Sequence, residues 1–218
     1  MELKSTAKIN IGLHVHNRRK DGFHNISTIF QEINFFDVIN ITEAKNFSCN
    51  TNIRQIKEED NFATKAFHLI KTKFPIIPNV SISIKKNIPT NAGLGGGSSN
   101  GTTVLKGLNE LFDLSLKDDD LANFAREVSS DSTFFVEGGL QLGQQRGEKL
   151  TPITGSTLPN HILLIHPNIK ISTKDAFNQL KNHLLNENMD INLSNLLNEL
   201  KNNNFNSKLF KNDFEMYV

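Results

Sequence analysis

The chain has a single cysteine, Cys49, and no tryptophan among its 218 residues. One cysteine excludes an internal disulfide and a zinc site built from several cysteines, and it fits a reducing compartment. The 24 basic and 23 acidic side chains leave a net charge of +1, so the basic surplus typical of nucleic-acid-binding proteins is missing. No apolar run approaches the roughly 20 residues that cross a bilayer, and the first ten residues contain no apolar signal-peptide core. We therefore expect a cytoplasmic protein that binds neither membrane nor nucleic acid.

Two hydrophobic periodicities occur along the chain. Apolar and polar residues alternate, as in half-buried strands, over 4–16, 26–34, 37–43 and 80–86. Helical spacing of apolar residues occupies 61–74, 104–112 and 117–129. Beyond these we expect a hairpin over 137–150, a buried strand over 161–166 and a capped helix from Ser172 through Leu185. This order predicts an α+β fold with a domain boundary in the turn-rich link near 152–160.

The glycine-rich segment from Gly93 to Ser99 is the strongest chemical feature, because it lies between a predicted strand and a predicted helix. Glycines allow positive φ angles and close approach of backbone N–H groups to an anion, and the helix N-terminus adds further donors. Ser98 and Ser99 add hydroxyl groups that can bind phosphate or a metal. The pattern therefore predicts a phosphate-binding loop, with a glycine-rich loop that binds nothing as the alternative. The segment lacks the G-x-x-x-x-G-K-S/T pattern of a P-loop, and the chain has no H-R-D or D-F-G motif of protein kinases.

Four smaller features are ambiguous when each is taken alone. Lys8 and Asn10 share the polar face of the first strand, where a lysine is usually just solvated. Asp131 stands between an amphipathic helix and an apolar run, which also suits an ordinary turn residue. The segment Asp21-Gly22-Phe23-His24 offers an aromatic ring and an imidazole that could recognise a flat base, or it is a turn with one tucked ring. Phe177 is a second candidate for stacking, or a core residue of its helix.

Five ordered segments combine these features: A-K-I-N at 7–10, R-R-K-D-G-F-H at 18–24, P-T-N-A-G-L-G-G-G-S-S-N at 89–100, S-S-D-S-T-F-F-V-E-G-G at 129–139 and H-P-N-I-K-I-S-T-K-D-A-F at 166–177. Together they resemble the GHMP superfamily of small-molecule kinases. The D-G-F-H segment is similar to the branch that phosphorylates a cytidyl diphosphate sugar alcohol in the non-mevalonate isoprenoid pathway. The resemblance implies a ribosomal-protein-S5-domain-2-like ATP-binding domain over 1–155 and the start of a ferredoxin-like domain over 156–218.

The resemblance also implies a role for each matching residue. Asp131 would be the general base or would orient the attacking hydroxyl, with Lys8 beside it and Asn10 lining the same pocket. His24 would hydrogen-bond the cytosine edge, and Phe23 and Phe177 would stack on its two faces. ATP is the implied co-substrate and Mg²⁺ is expected with it, although no protein ligand for the metal is assigned. The segment that would hold the triphosphate comprises Pro89, Thr90, Asn91, Ala92, Gly93, Leu94, Gly95, Gly96, Gly97, Ser98 and Ser99.

The sequence departs from the family pattern at several positions. Ser130, Ser132 and Thr133 replace the usual residues around the aspartate, and Gly101 replaces an alanine at a cost of about 1 kcal/mol in helix propensity. No third glycine-rich motif of the G-S-G-S type follows residue 143. We therefore expect a kinase that lacks its C-terminal part, with apolar faces of 180–200 left without partners. A nucleotide-binding fragment without turnover, another GHMP kinase and an RNA-binding protein remain as alternatives.

Overall fold

The computed structural model describes residues 1–155, 161–167, 190–202 and 211–217. The strands are β1 (Glu2–Arg18), β2 (His24–Ala44), β3 (Ser48–Thr51), β4 (Asn79–Lys85), β5 (Leu140–Gln145) and β6 (Lys149–Pro152). The α-helices are α1 (Phe62–Lys73), α2 (Gly96–Leu111), α3 (Asp118–Val128), α4 (Phe134–Glu137) and α5 (Asp190–Lys201), followed by a 3₁₀-helix, Asp213–Tyr217. The mixture confirms the α+β class. None of the helices within the described ranges is long and apolar enough to cross a membrane.

The chain forms two compact units. The first unit comprises Met1–Ile9 and Glu32–Gly138, and the second comprises Asn10–Gln31 with the described residues from Gly139 onward. Strands β1 and β2, which pair with each other, contribute residues to both units. The predicted division into 1–155 and 156–218 stays a prediction, because much of the second segment lies outside the described residues.

The first unit is built on strands whose apolar residues face three helices. β4 is antiparallel to β2, in register from Val38↔Lys85 to Ala44↔Asn79, and β3 runs parallel to β4. Alternate residues of these strands are buried, as period-two patterning requires. They pack against α1, α2 and α3 in one hydrophobic core that includes Ile39, Ile41, Val80, Ile82, Ile84, Phe67, Leu105, Leu108 and Leu121.

Helices α1 and α3 begin and end close to the predicted positions, whereas α2, predicted over 104–112, begins already at Gly96. The Asn61 side chain accepts a hydrogen bond of 3.0 Å from the N–H of Ala63, which caps α1, and Pro75 follows shortly after its end. Acidic residues 118–120 occupy the first turn of α3, where they complement the helix dipole. The predicted helices over 61–74 and 117–129 are therefore confirmed.

The second unit contains the predicted hairpin. β5 is antiparallel to β2 from Ile26↔Gln145 to Gln31↔Leu140, and β6 is antiparallel to β5. Leu196 and Leu200 of α5 are fully buried in a cluster with Ile29. The expectation that the apolar faces of 180–200 lack partners is therefore wrong for these two leucines, because they pack against Ile29 of the same unit.

Two strand predictions also need correction. The runs 26–34 and 37–43 belong to one continuous strand, β2. Asp37, within this strand, is accommodated in a buried position because the N–H groups of Asn87 and Ile88 donate to its carboxylate. Residues 161–167 form no regular secondary structure and are exposed, with Leu163 86% exposed. The helix expected from Ser172 through Leu185 lies outside the described residues.

Candidate active site

Lys8 and Asp131 come together within the first unit. Lys8 lies on β1, where its N–H donates to the carbonyl of Leu94 at 3.0 Å and ties the strand to the glycine-rich segment. Its Nζ lies 3.5 Å from Asp131 Oδ2, with the lysine side chain 7% exposed and the aspartate 37% exposed. A buried ammonium is poorly screened by solvent, so its field acts strongly on the aspartate and on any charge that develops nearby. The contact joins residues that are 123 positions apart in the chain.

Asp131 lies in a turn between α3 and α4. Hydrogen bonds of serine and threonine side chains connect this turn to α2. Ser129 Oγ donates to Ser98 Oγ at 2.8 Å, and Ser132 Oγ donates to the Ser98 carbonyl at 3.2 Å. Thr102 Oγ1 donates to the Ser132 carbonyl at 2.7 Å. These bonds hold the aspartate against the start of α2. Ser132, which the sequence marked only as a departure beside the aspartate, is thus a fully buried connecting residue.

The glycine-rich segment combines left-handed backbone with a helix N-terminus. Gly93 and Gly95 have φ angles of +73° and +68°, and α2 begins directly after Gly95. A Cβ atom on Gly95 would lie 2.9 Å from Phe135 Cζ and 3.1 Å from Lys8 Cγ, so the backbone approaches both side chains as closely as only glycine allows. The predicted loop is therefore half loop and half helix, since Gly96–Ser99 belong to α2.

The first turn of α2 contains N–H groups that donate no hydrogen bond to a carbonyl of the helix. The N–H of Ser99 makes the first bond of the ladder, to the Gly95 carbonyl at 2.9 Å, so the N–H groups of Gly96, Gly97 and Ser98 precede the ladder. Such donors at the positive end of a helix dipole attract anions. The serine hydroxyls are less available than expected, because Ser99 Oγ accepts from Ser5 Oγ at 2.8 Å and Ser99 is 1% exposed. Backbone amides, rather than these hydroxyls, are the principal donors.

Phe135, the residue that packs on Gly95, is held from the other side by Lys106. Lys106 Nζ donates to the Phe135 carbonyl at 2.8 Å. Burial lowers the pKa of the Lys106 ammonium, and the nearby carboxylates of Glu32 and Asp118 oppose that shift. Sequence reasoning missed this role of Lys106, because a lysine within an amphipathic helix usually faces solvent.

The residues predicted to bind a nucleobase lie in the second unit. The Phe23 ring is 54% exposed, and the Arg146 guanidinium lies 5.0 Å from its centroid. His24 is buried, with Nδ1 3.0 Å from the His16 carbonyl; a carbonyl only accepts, so this nitrogen carries the hydrogen. Asn10 Nδ2 donates to Thr28 Oγ1 at 2.9 Å. Phe177 lies outside the described residues.

Asp21 organises the loop that presents Phe23. Desolvation alone would raise the pKa of Asp21, but the Phe23 N–H and the guanidinium groups of Arg19 and Arg146 outweigh it and lower the pKa. Arg19 Nε lies 3.0 Å from Asp21 Oδ2. Sequence reasoning missed Arg146, because it stands far along the chain in the β5–β6 hairpin and only strand pairing brings it to this loop.

Comparison with known proteins places these features in context. A family model described as the GHMP kinases N terminal domain matches residues 61–139. The chain is 40% identical over 183 residues to a 4-diphosphocytidyl-2-C-methyl-D-erythritol kinase of Sulfurihydrogenibium sp. (strain YO3AOP1), a match that covers 84% of this chain and 66% of that protein. It is 35% identical over 184 residues to the protein of the same name from Persephonella marina, covering 84% of this chain and 67% of that protein.

The chain is also similar to a solved structure. The crystal structure of a 4-(cytidine 5'-diphospho)-2C-methyl-D-erythritol kinase matches with a TM-score of 0.78 and 25% sequence identity, covering 99% of this chain and 76% of that chain. The present chain spans about two thirds of the length of the curated relatives it matches. The activity of a whole relative is therefore a matter for proposal and experiment here.

Proposed function

Because the chain belongs to the 4-diphosphocytidyl-2-C-methyl-D-erythritol kinase family of GHMP kinases, we propose that it transfers the terminal phosphoryl group of ATP to the 2-hydroxyl group of 4-diphosphocytidyl-2-C-methyl-D-erythritol. The GHMP kinase fold expected from the motifs is confirmed by the family model and by the TM-score of 0.78. The observation that carries the proposed reaction is the 3.5 Å pair of Lys8 and Asp131, held beside a glycine-rich helix N-terminus.

The proposed mechanism relies on position and charge. The acceptor oxygen forms a bond to the terminal phosphorus of ATP while the bond from that phosphorus to the bridging oxygen breaks, and ADP leaves. Asp131 orients the attacking hydroxyl and accepts its proton. Lys8, whose Nζ lies 3.5 Å from that carboxylate, stabilises negative charge on the transferring group. Phosphoryl transfer asks little more of a protein than such positioning and neutralisation.

The segment from Pro89 to Ser99 is proposed to hold the triphosphate. The N–H groups of Gly96, Gly97 and Ser98 point along the positive end of α2, which favours phosphate oxygens. Mg²⁺ usually retains several waters and binds through substrate phosphates with one or two protein oxygens. The described residues contain no group of three or more His, Cys, Asp or Glu side chains that could hold a metal ion. We propose that Mg²⁺ would arrive with ATP and neutralise its phosphates, with no protein ligand assigned, because Ser98 Oγ already accepts from Ser129 Oγ at 2.8 Å.

The second unit is proposed to bind the cytidine. Phe23 presents an exposed ring with Arg146 over it, which suits stacking of one base on the ring. His24, whose ring is oriented by the contact of Nδ1 with the His16 carbonyl at 3.0 Å, is proposed to hydrogen-bond the cytosine edge. Asn10 and Phe177 complete the substrate contacts in this proposal. The reaction would take place in the cytoplasm, where ATP and cytidine nucleotides are available.

The test combines turnover with binding. Release of ADP would be measured with the cytidyl substrate and, in parallel, with mevalonate, homoserine and galactose; we expect turnover with the cytidyl substrate alone. Asp131→Ala should abolish turnover while calorimetry shows the affinity for a non-hydrolysable ATP analogue within about threefold of wild type. Binding of both ligands without ADP release would contradict the proposal and support a nucleotide-binding fragment. Comparable turnover of the Asp131→Ala variant would refute the role of that residue.

A further inference from the structure

A buried ion pair lies beside the two ends of the glycine-rich segment. Asp37 of β2 and Lys86, which follows β4, form an ion pair in which the aspartate side chain is 0% exposed and the lysine side chain 5% exposed. A buried ion pair is often no more stabilising than apolar residues of the same volume, because both charges lose their hydration. Its presence at this place therefore calls for a reason other than stability.

The carboxylate of Asp37 binds the chain on both sides of the segment. On the near side, the N–H groups of Asn87 and Ile88 donate to Oδ1 at 2.7 and 2.8 Å, directly before Pro89. On the far side, Asn100 Nδ2 in the first turns of α2 donates to Oδ2 at 2.9 Å. One side chain thus fixes where the segment leaves the strand and where it enters the helix.

The hydrogen bonds continue from Asp37 to Ser99 in the first turn of α2. Lys86 Nζ donates to Asn100 Oδ1 at 2.9 Å. Asn100 Nδ2 also donates to Ser5 Oγ at 2.8 Å, and Ser5 Oγ donates to Ser99 Oγ at 2.8 Å. Ser5, Lys86, Asn100 and Ser99 are all buried, so solvent does not replace these contacts when one of them is lost.

We propose that Asp37 is a positioning residue for ATP. Its carboxylate accepts hydrogen bonds from Asn87, Ile88 and Asn100, a set that we call the clasp. The clasp holds the amides of Gly96, Gly97 and Ser98 in the arrangement that binds the triphosphate. This inference rests on the proposed function and deepens it. Asp37 itself touches no phosphate, because Lys86 and the backbone surround its carboxylate.

If Asp37 and Lys86 acted on ATP only through their charges, loss of the Asp37 charge would have the opposite effect on ATP binding. A Cβ atom on Gly96 would lie 3.3 Å from Lys86 Nζ, so the ammonium sits directly under the start of α2. If Lys86 acted only by attracting phosphate, the charge of Asp37 would oppose it, and removal of that charge would tighten ATP binding. The clasp predicts weaker binding, because hydrogen bonds to a charged group are lost and the segment rearranges.

The deciding experiment compares Asp37→Asn with Glu43→Gln in the full chain. Glu43 is an exposed carboxylate on the same strand, so the control removes the same charge without touching the clasp. We expect Asp37→Asn to raise KM for ATP about tenfold or more, as loss of charged hydrogen bonds implies, with KM for the cytidyl substrate within about twofold. An unchanged or lower KM for ATP, or an equal rise of both KM values, would overturn the proposal. Glu43→Gln should match wild type in every constant.

A second variant and a second measurement keep the test decisive. If Asp37→Asn does not fold, Asn100→Leu takes its place, since it removes the hydrogen bond from Asn100 to Asp37 and leaves the ion pair of Asp37 with Lys86. KM for ATP should again rise while KM for the cytidyl substrate stays unchanged. An unchanged KM for ATP would overturn the proposal. If the wild-type chain transfers no phosphoryl group, the proposed function has failed, and the clasp is judged separately. Hydrogen exchange of the Ser99 amide, which donates to the Gly95 carbonyl at 2.9 Å, should then be about tenfold faster in Asp37→Asn than in wild type, and equal rates would refute the proposed positioning.

Discussion

Gly93 and Gly95 have nearly the same backbone conformation and different surroundings. Their φ angles are +73° and +68°, a region that costs other residues roughly 1–2 kcal/mol. A Cβ atom on Gly93 would meet no atom within 4 Å, whereas one on Gly95 would lie 2.9 Å from Phe135 Cζ and 3.1 Å from Lys8 Cγ. The pair therefore separates backbone strain from steric conflict within one segment.

The two alanine variants should differ by the steric term alone. Gly93→Ala should lower the free energy of unfolding by about 1–2 kcal/mol through the backbone. Gly95→Ala should carry the same cost plus about 1–3 kcal/mol for forcing an extra methyl group into a packed site, a total of about 2–5 kcal/mol. Because the methyl group pushes on Lys8, Gly95→Ala should also reduce kcat for phosphoryl transfer well below that of Gly93→Ala.

Urea-induced unfolding followed by circular dichroism measures the stability difference, and ADP release measures the kinetic one. Slopes of the unfolding transitions should agree among the proteins, so that midpoints compare directly. Equal destabilisation by both variants would refute the reasoning, because it would mean that Phe135 and Lys8 move aside at no cost.

Three further predictions test other parts of the chain. Gly101→Ala gains about 1 kcal/mol of helix propensity, but its Cβ atom would lie 2.7 Å from Val128 Cγ1. Because overpacking costs about 1–3 kcal/mol, urea unfolding should show no net stabilisation. A clear gain in the free energy of unfolding would contradict this contact. Asp21→Asn should destabilise the protein near neutral pH, because the folded-state pKa of Asp21 is lowered. The difference from wild type should shrink as pH falls below the ordinary aspartate value of 3.8 and vanish below the lowered folded-state pKa; a difference that persists there would show another cause. Leu196→Ala should cost about 2–5 kcal/mol, because that side chain is fully buried beside Ile29, and a negligible change in thermal unfolding would place α5 outside the core.

Local patterns were sufficient where the signal is short in range. The spacing of apolar residues in α1 and α3 predicted those helices, since the positions that share one face of a helix lie within a few turns of each other. The strand over 161–166 failed because an apolar run carries no information on whether a partner strand exists. The separation of 26–34 from 37–43 was wrong, because the alternation of apolar and polar residues is interrupted at 35–36 while the backbone pairing of β2 continues.

The sequence by itself determined the kinase family and the glycine-rich segment, and it proposed Lys8 and Asp131 as site residues, because each of these features lies within a contiguous motif. Only the tertiary structure decided which groups support them. The serine bonds from Ser129 and Ser132 to Ser98, and the clasp of Asp37, join residues that are distant in the chain. No periodicity reports such contacts, since they arise when packed strands and helices bring buried polar groups together and each group must find a partner.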